Sequence, residues 1–284
     1  MKNNDKDIFL VEDFLRNSED LYTNACSRYL LRDPSNDPVW ILSCEKNMIK
    51  ALIIKSKSTI IPVFSGIADI IEKMPSPKFI TVFFKSKKIY SIQGLKEEVV
   101  ILENTMRHNG RKISQTFDYD LMKLDMNNKC QTNDNVSGLI LRVPGLSDLD
   151  GLAPLQSAYE HEEVLHKGSV FSPAASRINL SKIIVGGKIL IAELNGRLAG
   201  KINISGVSFT RYMIGGVYVH PDFRGRRIAS VMTAKFIDLL NGFGADKPKE
   251  ITLFVKKTNI AARKLYSGLG FKVQGDYRIV YFAD

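Results

Sequence analysis

Residues Ile214 to Ala229 read Ile-Gly-Gly-Val-Tyr-Val-His-Pro-Asp-Phe-Arg-Gly-Arg-Arg-Ile-Ala, and this stretch constrains the chain more than any other. An apolar run ends at His220-Pro221 and a basic turn follows. Ile228, Val231, Met232, Phe236, Leu239 and Leu240 then recur at the spacing of one helix face. A turn that feeds straight into a helix presents the first backbone N–H groups, which have no intrahelical partner, to whatever lies beyond it. The same helix end favours negative charge. Arg224, Arg226 and Arg227 add cationic side chains at that spot. The sequence therefore predicts a strand, an anion-binding turn and a helix.

A second segment, Asn259-Ile-Ala-Ala-Arg-Lys-Leu-Tyr-Ser-Gly-Leu-Gly-Phe271, follows a short apolar run from Ile251 to Val255. It resembles the Asn-x-x-Ala-x-x-Leu-Tyr-x-x-x-Gly-Phe signature of the GNAT superfamily of acyl-CoA-dependent N-acetyltransferases. The first segment resembles the Val-x-Pro-x-x-Arg-Gly-x-Gly-x-Gly/Ala pyrophosphate loop of the same family. The two stand in the family's order, with one helix and one strand between them. The resemblance implies an α/β (α+β) fold with a mixed, mostly antiparallel twisted sheet flanked by helices. It implies acetyl-CoA (coenzyme A) as co-substrate and no metal. Carried over residue by residue, it assigns coenzyme contacts to Val217, Tyr218 and Val219 on the strand. It assigns further contacts to Arg224, Gly225, Arg226, Arg227, Ile228 and Ala229 in the turn, and to Asn259 and Ala262 on the later helix. Arg227 departs from the pattern, because the family usually has a glycine there. Glycine lets backbone approach a phosphate closely, whereas arginine either crowds it or pairs with it.

Asn259 and Tyr266 lie seven residues apart, two helical turns, and share one face. The resemblance places the Tyr266 hydroxyl beside the coenzyme sulfur. A phenol titrates near 10 and a thiol near 8.5, so the hydroxyl can donate to a departing thiolate. The base is less well marked, since Tyr212–Val219 carries no carboxylate where many family members have one. Glu160, Glu162 and Glu163 fall in the segment that borders the acceptor site in related proteins. Glu163 or Glu162 is the expected base or amine anchor, and a solvated helix face is the competing reading. His161 and His166 are five apart, about 140° round a helix, and cannot share a zinc-binding face as His-Glu-x-x-His does.

The net charge of +10 is unevenly placed: residues 1–128 hold 19 Lys+Arg against 17 Asp+Glu, or +2, and residues 129–284 hold 21 against 13, or +8. The basic excess thus travels with the anion-binding turn and would steer a polyanion toward it. The basic residues show no aromatic interleaving, so nucleic acid is not the expected partner. Cys26, Cys44 and Cys130 lie far apart with no Cys-x-x-Cys spacing, as in a reducing cytoplasm. No stretch has the length or apolarity of a signal peptide or membrane span.

The polar run at residues 127–137 reads as a linker between an N-terminal domain, 1–126, and an acetyltransferase domain, 138–284. In the second half, strands are expected at Leu139–Val143, Lys188–Leu194, Gly196–Ser208, Tyr212–Val219 and Glu250–Val255, with closing strands Phe271–Gln274 and Tyr277–Phe282. Helices are expected at Leu146–Leu165 and Ser172–Ile184 and from Ile228 and Asn259. Asn195-Gly196 is a two-residue hairpin signal. The first half has helices at Ile8–Arg16 and Glu19–Leu31 and strands at Val39–Ser43, Ile49–Lys55 and Thr59–Phe64. A helix near Ile67–Lys73, a strand Phe79–Phe84, a helix Gly94–His108 and a strand Gln115–Leu124 follow. This order parallels the second half, but Phe64-Ser65-Gly66-Ile67 has neither the arginines nor the glycines of a pyrophosphate loop. The first half is read as a degenerate GNAT-like domain, an unrelated α/β domain being the alternative.

The function expected from these features is an N-acetyltransferase moving an acetyl group from acetyl-CoA to a primary amine on a small molecule or peptide, by direct attack in a ternary complex. Arg227 and the missing strand carboxylate leave a non-catalytic acyl-CoA sensor or interaction module as the alternative.

Overall fold

In a computed structural model, which describes residues 5–66, 89–126, 135–242, 248 and 250–283, Asn195 and Gly196 both take left-handed backbone, with φ of 51° and 78°. Paired left-handed residues are what a two-residue hairpin turn requires. They join β7 (Ile189–Leu194) to β8 (Arg197–Val207), whose register closes on Leu194 opposite Arg197. The helix near Ile67–Lys73, the strand Phe79–Phe84, Cys130 and most of the linker lie outside the described residues.

The chain divides into two units, Met1–Leu121 with Gln274–Asp284, and Met122–Val273. In the first, α1 (Asp5–Leu31) is followed by β1 (Val39–Glu45), β2 (Met48–Ser56), β3 (Thr59–Phe64), β4 (Ser91–Leu95) and α2 (Lys96–His108). β5 (Ile113–Asp125) starts here, and the end of β11 (Lys272–Phe282) pairs with β4, Tyr277 opposite Leu95. α1 is two helices joined across a kink at Tyr22, where φ is −117°, so the break between the two expected helices falls at Tyr22 rather than before Glu19. β4 was hidden because Gly94 looks like a helix start; a Cβ there would meet Pro62 of β3 at 3.3 Å, so glycine serves close strand packing instead. Ile53, Ile60, Ile92, Val99, Leu102 and Val280 form the core of this unit.

The second unit contains β6 (Leu139–Arg142), α3 (Leu149–Tyr159), a π-helical turn (Glu160–Val164), α4 (Pro173–Val185), β7, β8, β9 (Arg211–Val219), α5 (Ile228–Asn241), β10 (Glu250–Lys256) and α6 (Ile260–Gly268). Its strands are ordered β10-β9-β8-β7-β6; β9 and β10 run parallel and the other neighbours antiparallel. Alternate residues of β7 feed two apolar layers. Leu190 and Ala192 join Met232, Phe236, Ile251 and Leu253, whereas Ile189 and Ile191 join Leu152, Leu155, Leu180 and Ile184. The sheet is therefore covered on both faces, by α5 on one and by α3 and α4 on the other. Two expectations are corrected. The segment read as one helix, Leu146–Leu165, is a 3-10 turn, an α-helix and a π turn. The two closing strands are one, because Gly275 lacks the positive φ a tight turn would need. Among the described residues no helix is long and apolar enough to cross a membrane.

Candidate active site

β9 and β10 pair over Arg211–Ile214 against Glu250–Leu253, and the register stops there. Gly215–Val219 therefore leaves β10, and its backbone groups face an open edge. The departure coincides with a bulge: opposite β8, the register jumps from Asn203↔Gly215 to Lys201↔Tyr218. Gly216 sits in the bulge with φ of 58°, and a Cβ there would come within 2.0 Å of Asn203 Oδ1 and 2.7 Å of Lys201 Nζ. Only glycine fits.

The freed strand runs into a short 3-10 turn, Pro221–Phe223, held by Asp222 N–H donating to His220 Nδ1 at 3.3 Å and by the buried Phe223 ring. Gly225 and Arg227 are both left-handed, with φ of 75° and 61°. Arg227 stands where the resemblance expects a glycine, and it takes left-handed backbone all the same. Arg227 is the N-cap of α5 and makes no side-chain capping bond; the first helical bond runs from Val231 N–H to Arg227 O at 3.1 Å. The amides of Ile228, Ala229 and Ser230 have no intrahelical acceptor. The turn thus has the form expected for an anion site, while the Ile228 side chain is buried in the core.

Arg224 is engaged elsewhere. Its Nε donates to Val219 O at 3.0 Å and its Nη2 to Glu162 Oε2 at 2.7 Å, with the guanidinium 5.4 Å above the Tyr218 ring. Glu162 also accepts from Tyr218 Oη at 3.1 Å. The Arg224 guanidinium, ahead of the Tyr218 bond, holds the Glu162 carboxyl below the usual carboxylate range. Glu163 pairs with Lys256 Nζ at 3.0 Å. The π turn thus spends both candidate bases on cations, one from the turn after β9 and one from the end of β10.

Tyr266 is 7% exposed on α6, its ring edge-on to Phe271 at 5.8 Å. Burial first, then the nearby Tyr159 and Glu163, raises its phenol pKa well above the usual value. Its hydroxyl makes no hydrogen bond to the described residues, so the proton stays on and is available to an incoming acceptor. Asn259 caps α6, its Oδ1 accepting from Ala262 N–H at 3.0 Å. That bond accounts for Asn259 through helix capping.

Sequence reading missed three residues at the bulge. Lys201 is fully buried; its Nζ donates to Asn203 Oδ1 at 3.1 Å and to Gly216 O at 3.0 Å, and lies 4.5 Å from the centre of the Tyr159 ring. The available signal was one lysine in the otherwise apolar run Leu198–Ile202.

Residues 157–271 match the family model for the acetyltransferase (GNAT) family. An acetyltransferase of Pectobacterium atrosepticum is 34% identical over 85 residues, which span 29% of this chain and 56% of that protein. The match therefore covers little more than half of the relative's length. A GCN5-related N-acetyltransferase from Sphaerobacter thermophilus superposes with a TM-score of 0.59 at 13% identity, over 91% of this chain and 84% of that one. A tandem GNAT protein from the clavulanic acid biosynthesis pathway gives 0.54 at 14% identity, over 90% and 86%. At such identities the likeness is one of fold. Residues 157–271 are thus the part of the chain that is similar to GNAT acetyltransferases.

Proposed function

We propose that the second unit is an N-acetyltransferase that moves an acetyl group from acetyl-CoA to a primary amine by direct attack in a ternary complex. One arrangement carries this reading: the backbone of Gly215–Val219, released from β10, runs into a left-handed turn that aims the first amides of α5 outward. An acyl-CoA needs both surfaces, an extended edge for its amide-bearing arm and clustered N–H donors for its pyrophosphate. Val217, Tyr218 and Val219 suit the first. Gly225, Arg226, Arg227, Ile228 and Ala229 suit the second, and the +8 balance of residues 129–284 suits the ligand's charge.

Bound there, acetyl-CoA supplies an activated acyl carbon. We assign to the Val219 N–H the hydrogen bond to the acyl oxygen as charge builds on it. Tyr266 keeps its proton at working pH and can give it to the leaving sulfur. Glu162 and Glu163 suit an anchor for the amine's positive charge better than a base, because each already faces a cation, Arg224 and Lys256.

The acceptor is a small-molecule or peptide amine. The location we read is the cytoplasm, supported by Cys26 and Cys44 as free thiols. The first unit we read as a degenerate GNAT-like domain: at the end of its β3, the Phe64 N–H is taken by Glu98 Oε1 at 3.0 Å. Calorimetry with acetyl-CoA, run beside thiol release on a panel of primary amines, tests the proposal. Binding with amine-dependent release supports it, and binding without release favours the non-catalytic sensor.

A further inference from the structure

Gly216 and Val217 have no partner in the register of β9 with either β8 or β10. A bulge residue loses its ladder hydrogen bonds, and Gly216 is buried, so both of its backbone groups need other partners. Two side chains supply them. Lys201 Nζ donates to Gly216 O at 3.0 Å, and the Tyr159 hydroxyl bonds the backbone of the same residue. The Tyr159 bond favours the phenolate, so its donor is the Gly216 N–H. Asn203 Oδ1 takes another N–H of Lys201 Nζ at 3.1 Å. Asn203 Nδ2 donates in turn to Ile204 O at 3.0 Å, so the amide that steadies the lysine is itself held. The Tyr159 ring closes the remaining side, 4.5 Å from Nζ.

Lysine is a costly choice for this place. Burial takes its amine out of water and freezes a flexible side chain. A methionine would fill a similar length, but it has no N–H to offer Gly216 O. What the lysine adds is direction. The peptide joining Gly216 to Val217 is planar and trans, so its C=O and N–H point opposite ways. Fixing Gly216 O therefore also fixes Val217 N–H, the first amide past the bulge on the open edge. The two bonds that Nζ donates are open to the ammonium and the neutral amine alike, so the hold does not depend on its charge.

Resting on the acyl-transfer reading above, we propose that Lys201 is a positioning residue for the coenzyme: through Gly216 O it holds the freed segment of β9 ready to hydrogen-bond the amide-bearing arm. Fully buried, Lys201 acts through the backbone alone. Its contribution is preorganisation, since an edge already in place has less freedom to lose when the arm docks. The pyrophosphate is met by a separate group of amides at the start of α5, and the Lys201 amine bonds none of them. Loss of Lys201 should therefore weaken the hold on the arm and spare the hold on the nucleotide half.

Calorimetry on the full chain tests this with two probes, acetyl-CoA and 3′-phospho-ADP, which is the coenzyme's nucleotide half without the arm. The wild type should bind acetyl-CoA more tightly than the nucleotide. In Lys201→Met the acetyl-CoA affinity should fall about 10-fold or more, as for lost hydrogen bonds, while the 3′-phospho-ADP affinity stays within about 2-fold. A folded Lys201→Met that keeps its acetyl-CoA affinity overturns the proposal. So does one that loses both affinities alike, which would make Lys201 a residue of general core stability. If Lys201→Met does not fold, Asn203→Ala is judged by the same split, because it keeps the lysine and removes its second anchor. There the acetyl-CoA affinity should fall about 3-fold with 3′-phospho-ADP unmoved, and an absent split overturns the proposal. A wild type that binds neither probe sinks the acyl-CoA reading, and this proposal with it. A wild type that binds both probes equally sinks the proposal alone.

Discussion

Arg224, in the turn expected to receive the pyrophosphate, reaches back to Glu162 in the π turn at 2.7 Å and is also anchored on Val219 O. The two side chains are about half exposed, at 45% and 43%, so the pair itself is worth little. It nevertheless sets up a competition, since a phosphate arriving at the turn would contend with Glu162 for the same guanidinium. Glu162→Gln should tighten coenzyme binding about 2- to 5-fold by calorimetry, in keeping with the small energy of an exposed ion pair. Weaker binding in that variant would show that Glu162 supports the site.

Arg227 occupies a left-handed position that L-residues enter at a cost. Arg227→Gly should be more stable than Arg227→Ala by about 1 kcal/mol, as measured by urea denaturation. The comparison with alanine isolates the backbone from the loss of the guanidinium. Equal stabilities would mean that the turn relaxes out of this conformation.

Tyr266→Phe should leave coenzyme affinity and melting temperature nearly unchanged, because the hydroxyl has no partner among the described residues. Turnover should fall by roughly 10- to 1000-fold, as for a lost general acid. Wild-type kcat in this variant would reduce Tyr266 to a core residue packed on Phe271.

In the first unit, Glu98 accepts from Tyr22 Oη and from Phe64 N–H, and its Oε2 has no hydrogen-bond partner among the described residues. Burial raises its pKa to about 8. The folded state therefore holds a proton that the unfolded chain releases near 4.3. This stabilisation of the protonated form is full below that value and is lost as pH climbs toward 8. Glu98→Gln should remove the slope. The variant should match the wild type near pH 5 and exceed it by a few kcal/mol near pH 8 in urea denaturation. Parallel pH profiles would mean that Glu98 is solvated.

The parts of the fold legible in the sequence are those with local causes. Asn195-Gly196 demands its hairpin through left-handed backbone, and Asn259 starts α6 by capping Ala262. The turn at Arg224–Ala229 was visible because glycine, arginines and a helical period coincide. Lys201 was not legible, because its meaning depends on the bulge that places Gly216 O and Asn203 beside it, a relation between two strands. The ion pairs that engage Glu162 and Glu163 were likewise hidden. Their partners, Arg224 and Lys256, are brought to the π turn by the sheet.

The most direct test of the account is thiol release from acetyl-CoA by the full chain against a panel of primary amines, with products weighed by mass spectrometry. The account predicts amine-dependent release and an acetylated amine, both diminished in Tyr266→Phe. Acetyl-CoA that binds but yields neither thiol nor acetylated amine, across the panel and from pH 6 to 9, would contradict it.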